Sequence, residues 1–320
     1  MPLPKRVLLY EVGPREGFQI EKGPISTEQK VRFINELNHT GIQSIEVASF
    51  VSPKWVPEMS DVEEVLSRIE RKDGISYRTV YLNIKGLQRA LQNNVTVDGV
   101  LMLAASNAFS KKNTNKDIKE TQKQLPKWVK AYQEADIAVN QLALMSTFGC
   151  NFEGNISLSR VMDVLKNATK IAEENGEVIT KIKLADTMGW ANPEQIKRTI
   201  YSIKEEWPDI NILLHLHDTR GLGLANAYAA LQEGVREFET AIGGLGGCPF
   251  AAVNGAAGNI STEDMAFMCE EMGIYTGLDL EALLNCTKLA EEIVGHKLPA
   301  HLLNGGIFTT IRKQTWARQN

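Results

Sequence analysis

Two histidines separated by a single residue, His215 and His217, stand beside Asp218 in the segment LLHLHDTRGLGLANA. The whole chain has only five histidines. Alternate residues of a β-strand point to the same face, so the two imidazoles are predicted to lie side by side. Two imidazoles with a carboxylate nearby are typical ligands of a divalent metal ion. A histidine that is buried only for packing is the alternative, and the paired spacing favours ligation over it.

Other polar residues follow short apolar runs, where parallel strands are expected to end. Glu16 and Asp186 are the acidic residues expected nearest to the histidine pair. Oxygen and imidazole ligands together suit magnesium, manganese or zinc. Arg15, in the segment EVGPREGFQ, has the chemistry to neutralise an oxyanion. The remaining candidates at the strand ends are Glu11, Gln19, Glu46, Asn83, Ser106, Asn107, Thr187 and Asn259.

The four cysteines are widely spaced and form no CxxC pair, which is typical of reduced thiols. Cys248 lies in GGLGGCPF, where four glycines allow the backbone to move or to adopt positive φ. A thiol on a loop that closes over a substrate can act as an acid or a base; an ordinary loop cysteine is the alternative. Cys150 follows the fifth predicted strand, whereas Cys269 and Cys286 are predicted to pack within helices. For Lys111 and Lys112 two interpretations are open: contact with a phosphate group, or a place in a solvated loop.

Apolar runs alternate with amphipathic stretches along most of the chain. Strands are predicted at 6–12, 44–50, 77–83, 98–105, 137–145, 178–186, 210–218 and 235–244. Helices are predicted at 26–41, 60–71, 84–93, 116–135, 157–176, 192–208, 221–234 and 261–272. Eight strand–helix units over about 270 residues predict an α/β fold of the (β/α)8 TIM-barrel type, with its active site at the carboxyl ends of the strands. An open doubly wound sheet is the alternative, and the lack of a glycine-rich phosphate loop after the first strand disfavours it.

We expect a single domain over residues 1–320, with the barrel at about 5–275 and an extension at about 276–320. The extension contains a further predicted helix, 279–295, which packs outside the barrel or extends it. A net charge of −4 with interspersed charges indicates neither a nucleic-acid nor a membrane partner. No signal-peptide pattern opens the sequence. Together with the reduced cysteines, this predicts a cytoplasmic protein.

Seven segments around these candidates resemble 3-hydroxy-3-methylglutaryl-coenzyme A lyase, a family of the DRE-TIM metallolyase superfamily. They are EVGPREGFQIEK, IEVASFVSPKWVPEMSD, AASNAFSKKN, GCNFEG, LADTMG, HLHDTRGLGLAN and GGLGGCPF, and GNISTED follows them. The segments occur in the order that the family has, and the similarity covers roughly residues 5–290.

The resemblance implies a role for most of the candidate residues. His215, His217 and Asn259 would bind the divalent cation, usually magnesium or manganese, with the acidic residue after Arg15 as the remaining ligand. Arg15 would stabilise an enolate, and Cys248 would be the catalytic cysteine of a mobile loop. Supporting hydrogen bonds and proton handling would fall to Glu11, Glu46 and Asp186. We assign substrate binding to Gln19, Asn83 and Ser106.

This sequence departs from the family pattern at two places. The family's Arg-Asp-Gly is here Arg15-Glu16-Gly17. The added methylene extends the reach of the carboxylate by roughly 1.5 Å, so ligation requires the preceding loop to lie further back or the metal to shift. The stretch between Cys248 and Asn259 is also longer, and Val253-Asn254 has the character of an insertion. Both changes affect the metal site and the loop that would cover it.

The implied reaction is carbon–carbon cleavage of an acyl-CoA that carries a 3-hydroxyl group and a distal carboxylate. The products would be acetyl-CoA and a keto acid, which is acetoacetate for the family's usual substrate. Two alternatives stay open: a related acyl-CoA aldol or Claisen lyase or synthase, and a barrel that binds acyl-CoA or metal without turnover. A homodimer is compatible with the sequence, which does not specify the oligomeric state.

We predict that Cys248→Ser folds normally and binds substrate but turns over about 10²–10⁴-fold more slowly. Serine is nearly isosteric, but its hydroxyl is a much poorer acid near neutral pH than a thiol. The measurement is kcat beside KM, with Cys269→Ser as the matched control, in which kcat should change little. A Cys248→Ser rate within about threefold of the wild-type rate would show that the thiol takes no part in the reaction.

Overall fold

A computed structural model describes residues 2–21, 23–247 and 257–308 of the chain. Eight parallel strands in it form one curved sheet. They are β1 (Leu8–Glu11), β2 (Ser44–Ser49), β3 (Ser76–Val80), β4 (Gly99–Ala104), β5 (Val139–Met145), β6 (Lys181–Ala185), β7 (Asn211–His215) and β8 (Glu237–Thr240). A short antiparallel hairpin, Gly149–Cys150 with Gly154–Asn155, follows β5.

Helices lie between the strands and after the last one. They are α1 (Thr27–Leu37), α2 (Val62–Arg68), α3 (Ile84–Leu91), α4 (Asn107–Thr114), α5 (Ile118–Gln122), α6 (Leu125–Gln133), α7 (Leu158–Glu174), α8 (Pro193–Glu206), α9 (Gly223–Gln232), α10 (Thr262–Glu271), α11 (Leu280–Val294) and α12 (Leu302–Gly305). A π-helical turn, Gly13–Gly17, follows β1, and short 3-10 turns occupy Pro57–Met59 and Ile242–Gly244.

The strand order around the sheet is β3-β2-β1-β8-β7-β6-β5-β4. Each strand therefore pairs with its neighbour in sequence, and β1 pairs with β8, as a (β/α)8 barrel requires. At the seam between β3 and β4 the described residues form a single parallel bridge, Arg78 to Thr96, where the Thr96 amide donates to the Tyr77 carbonyl at 2.8 Å. The predicted barrel is confirmed, and an open doubly wound order is not observed.

Helix starts follow the capping residues in the sequence. Ser26 and Asn192 each accept a backbone N–H and form a capping box with a glutamine three residues later. The predicted single helix over 116–135 is wrong, because it is divided into α5 and α6 and Pro126 stands in the first turn of α6. Helix α4 is an addition to the prediction, and Ser106 caps its first turn.

The predicted helix after the barrel is present as α11, which packs against α1 and α10 on the outside of the barrel. It is preceded by Tyr275, whose backbone carbonyl accepts from the Val7 amide at 3.0 Å and whose amide donates to Lys5 at 3.0 Å. The segment after α10 therefore extends the pairing at the start of β1. Across residues 2–21, 23–247 and 257–308, no helix combines the length and apolar character needed to cross a bilayer.

We predict that Gly99→Ala lowers the free energy of unfolding by about 1–3 kcal/mol, because a Cβ at this position would overpack the β4–β5 contact. The added atom would lie 2.1 Å from the carbonyl oxygen of Ala138 and 2.8 Å from the Cα of Val139. Gly305→Ala is the matched control, since a Cβ there would meet no atom within 4 Å. Urea denaturation of both variants measures the difference, and equal stability would contradict the tight packing at Gly99.

Candidate metal centre at the barrel rim

The two histidines lie together at the carboxyl end of β7, as their spacing predicts. His215 is the last residue of the strand, and His217 continues its face and forms an antiparallel bridge with Asn259. Their Nε2 atoms are 3.0 Å apart, and both side chains are buried. Two imidazole nitrogens therefore face the same small space at the mouth of the barrel.

The π-helical turn after β1 brings a carboxylate to the same space. Glu16 lies within this turn, and its Oε1 is 3.1 Å from Nε2 of His217 and 3.4 Å from Nε2 of His215. These three ligand atoms all lie within 4.8 Å of one another. The sequence predicted that Glu16 faces the histidines, but it indicated a loop rather than a π-turn, which is a feature often found at functional sites.

Asn259 supplies a further oxygen beside this cluster. Its Nδ2 donates to the carbonyl of Leu245 at 2.9 Å, whereas its Oδ1 is buried without a hydrogen-bond partner among the described residues. Gly246, at φ +94°, allows the close approach, because a Cβ there would lie 2.5 Å from Nδ2 of Asn259 and 3.1 Å from Cγ of Glu16. An orphaned oxygen beside two imidazoles and a carboxylate fits a divalent metal ion.

Charged neighbours hold the Glu16 carboxylate in its ionised form. Arg15 contacts Oε2 of Glu16 at 3.1 Å and donates through Nε to Glu46 at 2.5 Å. Burial alone would raise the pKa of Glu16, but His215 and Arg15 outweigh it and hold the pKa well below its usual range. Arg15 is thus fixed between two carboxylates at the edge of the candidate metal centre.

Two further residues, Glu239 on β8 and Lys183 on β6, contact the cluster and were not among the candidates from the sequence. One oxygen of Glu239 lies 2.8 Å from Nδ1 of His215, and the other accepts from Nζ of Lys183 at 2.7 Å. Burial would raise the pKa of Glu239, but Lys183 and His215 lower it to about 2. Burial also opposes the charged form of His215, yet Glu16 and Glu239 raise its pKa to about 9 in the metal-free protein. Charged residues at alternate positions of a buried strand are the sequence signal that could have identified them.

Glu11 and Asp186 are buried, and each carboxylate accepts hydrogen bonds from backbone amides of the loops at the rim. Glu11 accepts from the amides of Gly13 and Ile242 and from the hydroxyl of Thr262, at 2.9, 3.0 and 2.6 Å. Burial raises the pKa of Glu11 to about 7 although these donors oppose the shift. Asp186 accepts from the amide of Trp190 at 2.7 Å and from the following amide at 3.1 Å. Both carboxylates therefore shape the loops around the rim, and their catalytic roles remain predictions.

The residues assigned to substrate binding are less closely associated with the cluster. Ser106 is buried and caps α4, and its hydroxyl donates to Sγ of Cys150 at 3.1 Å. Asn83 caps α3 and is exposed. Gln19 is partly exposed just beyond the π-turn. Their predicted roles stay predictions.

Other sequence candidates fall in different surroundings. Of the two alternatives for Lys111 and Lys112, the solvated loop is wrong, because both residues lie in the last turn of α4, and a phosphate contact stays a prediction. Cys269 and Cys286 are buried within helices, as predicted. Cys248 and the stretch Val253-Asn254 lie outside the described residues.

The strand order and the rim residues together define a (β/α)8 barrel with a divalent-metal site at the carboxyl ends of its strands. The model of the HMGL-like family matches residues 6–290. The human mitochondrial hydroxymethylglutaryl-CoA lyase is 41% identical over 282 residues, which are 88% of this chain and 84% of that protein. A Bacillus subtilis hydroxymethylglutaryl-CoA lyase is 38% identical over 303 residues, or 95% of this chain and 98% of that protein.

A solved structure shows the same fold. It is an HMG-CoA lyase from Acinetobacter baumannii in complex with coenzyme A and 3-methylmalate, 38% identical, with a TM-score of 0.85 over 96% of this chain and 97% of that chain. The chain belongs to the HMGL-like family, and it is a lyase.

We predict that Glu16→Asp weakens metal binding by about tenfold or more, because the shorter side chain no longer reaches the point that both imidazoles face. The measurement is Mn²⁺ affinity of the metal-free protein by titration. Glu28→Asp is the matched control, since it makes the same change at an exposed pair with Arg68 far from the rim. Unchanged or tighter Mn²⁺ binding by Glu16→Asp would contradict ligation by Glu16.

Proposed function

We propose that the chain cleaves 3-hydroxy-3-methylglutaryl-CoA to acetyl-CoA and acetoacetate with the help of Mg²⁺ or Mn²⁺. The observation that carries the proposal is the buried set of Glu16, His215, His217 and the orphaned Oδ1 of Asn259. Two imidazoles, a carboxylate and an amide oxygen are donors that suit magnesium or manganese, and zinc is compatible with the same set. The relatives that carry this name support the choice of substrate.

The metal supplies Lewis acidity, which orients the substrate oxygens and acidifies the 3-hydroxyl group. Glu16, His215, His217 and Asn259 would hold it. A nearby carboxylate would then accept the hydroxyl proton as the carbon–carbon bond breaks. Asp186 and Glu46 are the candidates for this base, because both are close to the histidine–arginine cluster.

We assign to Arg15 the stabilisation of negative charge on the acetyl-CoA enolate. Its Nε and Nη2 atoms engage Glu46 and Glu16, so the guanidinium is oriented before substrate arrives. A preorganised cation is worth more in a buried site than in water, because it does not have to reorient during the reaction. We assign protonation of the enolate carbon to Cys248, and Glu11 to support of the loop on which that residue lies.

Substrate recognition is proposed for Gln19, Asn83 and Ser106, which lie on loops after β1, β3 and β4. The coenzyme A in the Acinetobacter baumannii structure supports an acyl-CoA as the partner of this chain. We also propose a cytoplasmic location, without nucleic-acid or membrane partners, and a homodimer as the assembly to test by light scattering. Zinc is the third metal to include in the assays.

We predict that the purified protein releases acetyl-CoA from 3-hydroxy-3-methylglutaryl-CoA and that a chelator abolishes this release. A coupled acetyl-CoA assay over a small panel of 3-hydroxyacyl-CoAs, with and without chelator and added metal, measures it. His217→Ala is the companion variant and should lose metal content and turnover together, because a methyl group cannot replace an imidazole ligand.

The other outcomes separate the competing functions. Release of acetyl-CoA from a different 3-hydroxyacyl-CoA alone would indicate a related lyase. Net condensation of acetyl-CoA with a keto acid would indicate a synthase. Metal-loaded protein that cleaves none of the panel would indicate a binding protein. Full metal occupancy with normal turnover in His217→Ala would remove the proposed site.

A further inference from the structure

Two charged pairs lie one above the other inside the barrel, between β6 and β8. Lys181 donates to Glu237 at 2.5 Å, and Lys183 donates to Glu239 at 2.7 Å. Within each strand the two charged residues are separated by one residue, so both side chains point to the interior. The barrel therefore contains two equivalent lysine–glutamate pairs at different distances from the rim.

Of these two pairs, the one nearer the rim, Lys183 with Glu239, contacts a residue of the candidate metal centre. Glu239 faces Nδ1 of His215 at 2.8 Å, whereas Glu237 accepts from the hydroxyl of Tyr10 at 2.8 Å. Residue His215 pairs in register with Glu239 across the β7–β8 ladder. The two pairs thus have the same chemistry, although Glu237 is somewhat more exposed than Glu239, and the two glutamates have different third partners.

Both oxygens of Glu239 are occupied, and this fixes the carboxylate in one orientation. Oε1 receives Lys183 and Oε2 receives His215, so the carboxylate cannot rotate without losing a charged hydrogen bond. A donor at Nδ1 of His215 leaves Nε2 as the free nitrogen, and this nitrogen lies toward Glu16 and His217. Carboxylates that orient metal-binding histidines in this way commonly change metal affinity when they are altered.

The other histidine has no comparable partner. Nδ1 of His217 is buried and forms no hydrogen bond among the described residues. Its side chain is oriented by packing, by the backbone bridge to Asn259 and by the contact of Nε2 with Glu16 at 3.1 Å. His215 is therefore the imidazole of the pair whose Nδ1, the nitrogen away from Glu16, is held by a side-chain hydrogen bond, and Lys183 is at the far end of that connection.

A cavity of ≈ 100 Å³ lies beside Lys183 and Glu239, so the Glu239 carboxylate has room to move unless Lys183 holds it. Lys183 and Glu239 both line it, together with Glu46, Tyr10 and Arg78. A cavity of this size with charged side chains in its lining can hold water molecules, which give a carboxylate alternative partners. Without the ammonium group, Glu239 would keep His215 as its charged partner, and its other oxygen could turn toward such water.

We propose that Lys183 is a positioning residue for the metal ligand His215 and that it acts through Glu239. This role rests on the metal site of the proposed function. Lys183 contacts Glu239 and is not itself one of the proposed ligands. Removal of its ammonium group should therefore change the metal affinity while all the ligands stay present.

The test is Mn²⁺ binding to metal-free Lys183→Met and Lys181→Met, measured by electron paramagnetic resonance titration. The two variants remove the same group from the same strand, one layer apart, and leave one glutamate each without its lysine. We expect Lys183→Met to raise the Kd for Mn²⁺ by about tenfold or more and Lys181→Met to change it by less than about twofold. Thermal denaturation without metal should show similar losses of stability in both.

Two more variants complete the test. Lys183→Arg keeps a donor and a positive charge and should restore most of the Mn²⁺ affinity. Glu239→Gln removes the charged acceptor and should weaken Mn²⁺ binding as Lys183→Met does, which also covers the case in which Lys183→Met does not fold. Equal Mn²⁺ affinity in wild type and Lys183→Met, or equal weakening in both methionine variants, would overturn the role of Lys183. A wild-type protein that binds no Mn²⁺ would instead overturn the metal site on which the role rests.

Discussion

Burial of charge at one end of the barrel is the constraint on which the rest of the structure depends. Glu16, Glu46 and Glu239 are carboxylates taken out of water, and each is compensated by Arg15, Lys183 or an imidazole. An isolated ionised group in such a place would be very costly, so the partners must all be positioned at once. Three features bring these groups together. The π-turn carries Glu16, the alternating side chains of β6 and β8 direct Lys183 and Glu239 to the interior, and Gly246 allows the close approach of Asn259.

The same buried charges act on the protonation of His215. Two acidic side chains face His215, and in the absence of a cation they favour its charged form, with a pKa of about 9. A divalent ion and this proton therefore compete for the same position, and metal binding releases the proton. The Oδ1 of Asn259 is buried and has no hydrogen-bond partner among the described residues.

Much of this arrangement could be predicted from local sequence patterns. The His-x-His spacing placed both imidazoles on one face, the eight strand–helix units predicted the barrel, and Glu16 was expected on the same rim. The π-turn could not be predicted, because its conformation depends on contacts with distant segments such as Leu245, against which a Cβ at Gly17 would lie at 2.8 Å. Lys183 and Glu239 were missed because they are 56 residues apart and their pairing exists only once β6 and β8 flank β7. Helix α4 was missed because its lysines and asparagines resemble a solvated loop.

Because β1 pairs with β8, the barrel can close only after the last strand has been synthesised. Glu16 follows the first strand, whereas Asn259 follows the last, and β1 finds its second neighbour only after β8 exists. During synthesis at about 5–20 residues per second, roughly 10–50 s separate the emergence of these two residues from the ribosome. Through that interval the first strand has an unpaired edge, and the nascent chain has no assembled metal site. Metal can therefore stabilise only the finished barrel, and its availability in the cell acts on a late step of maturation.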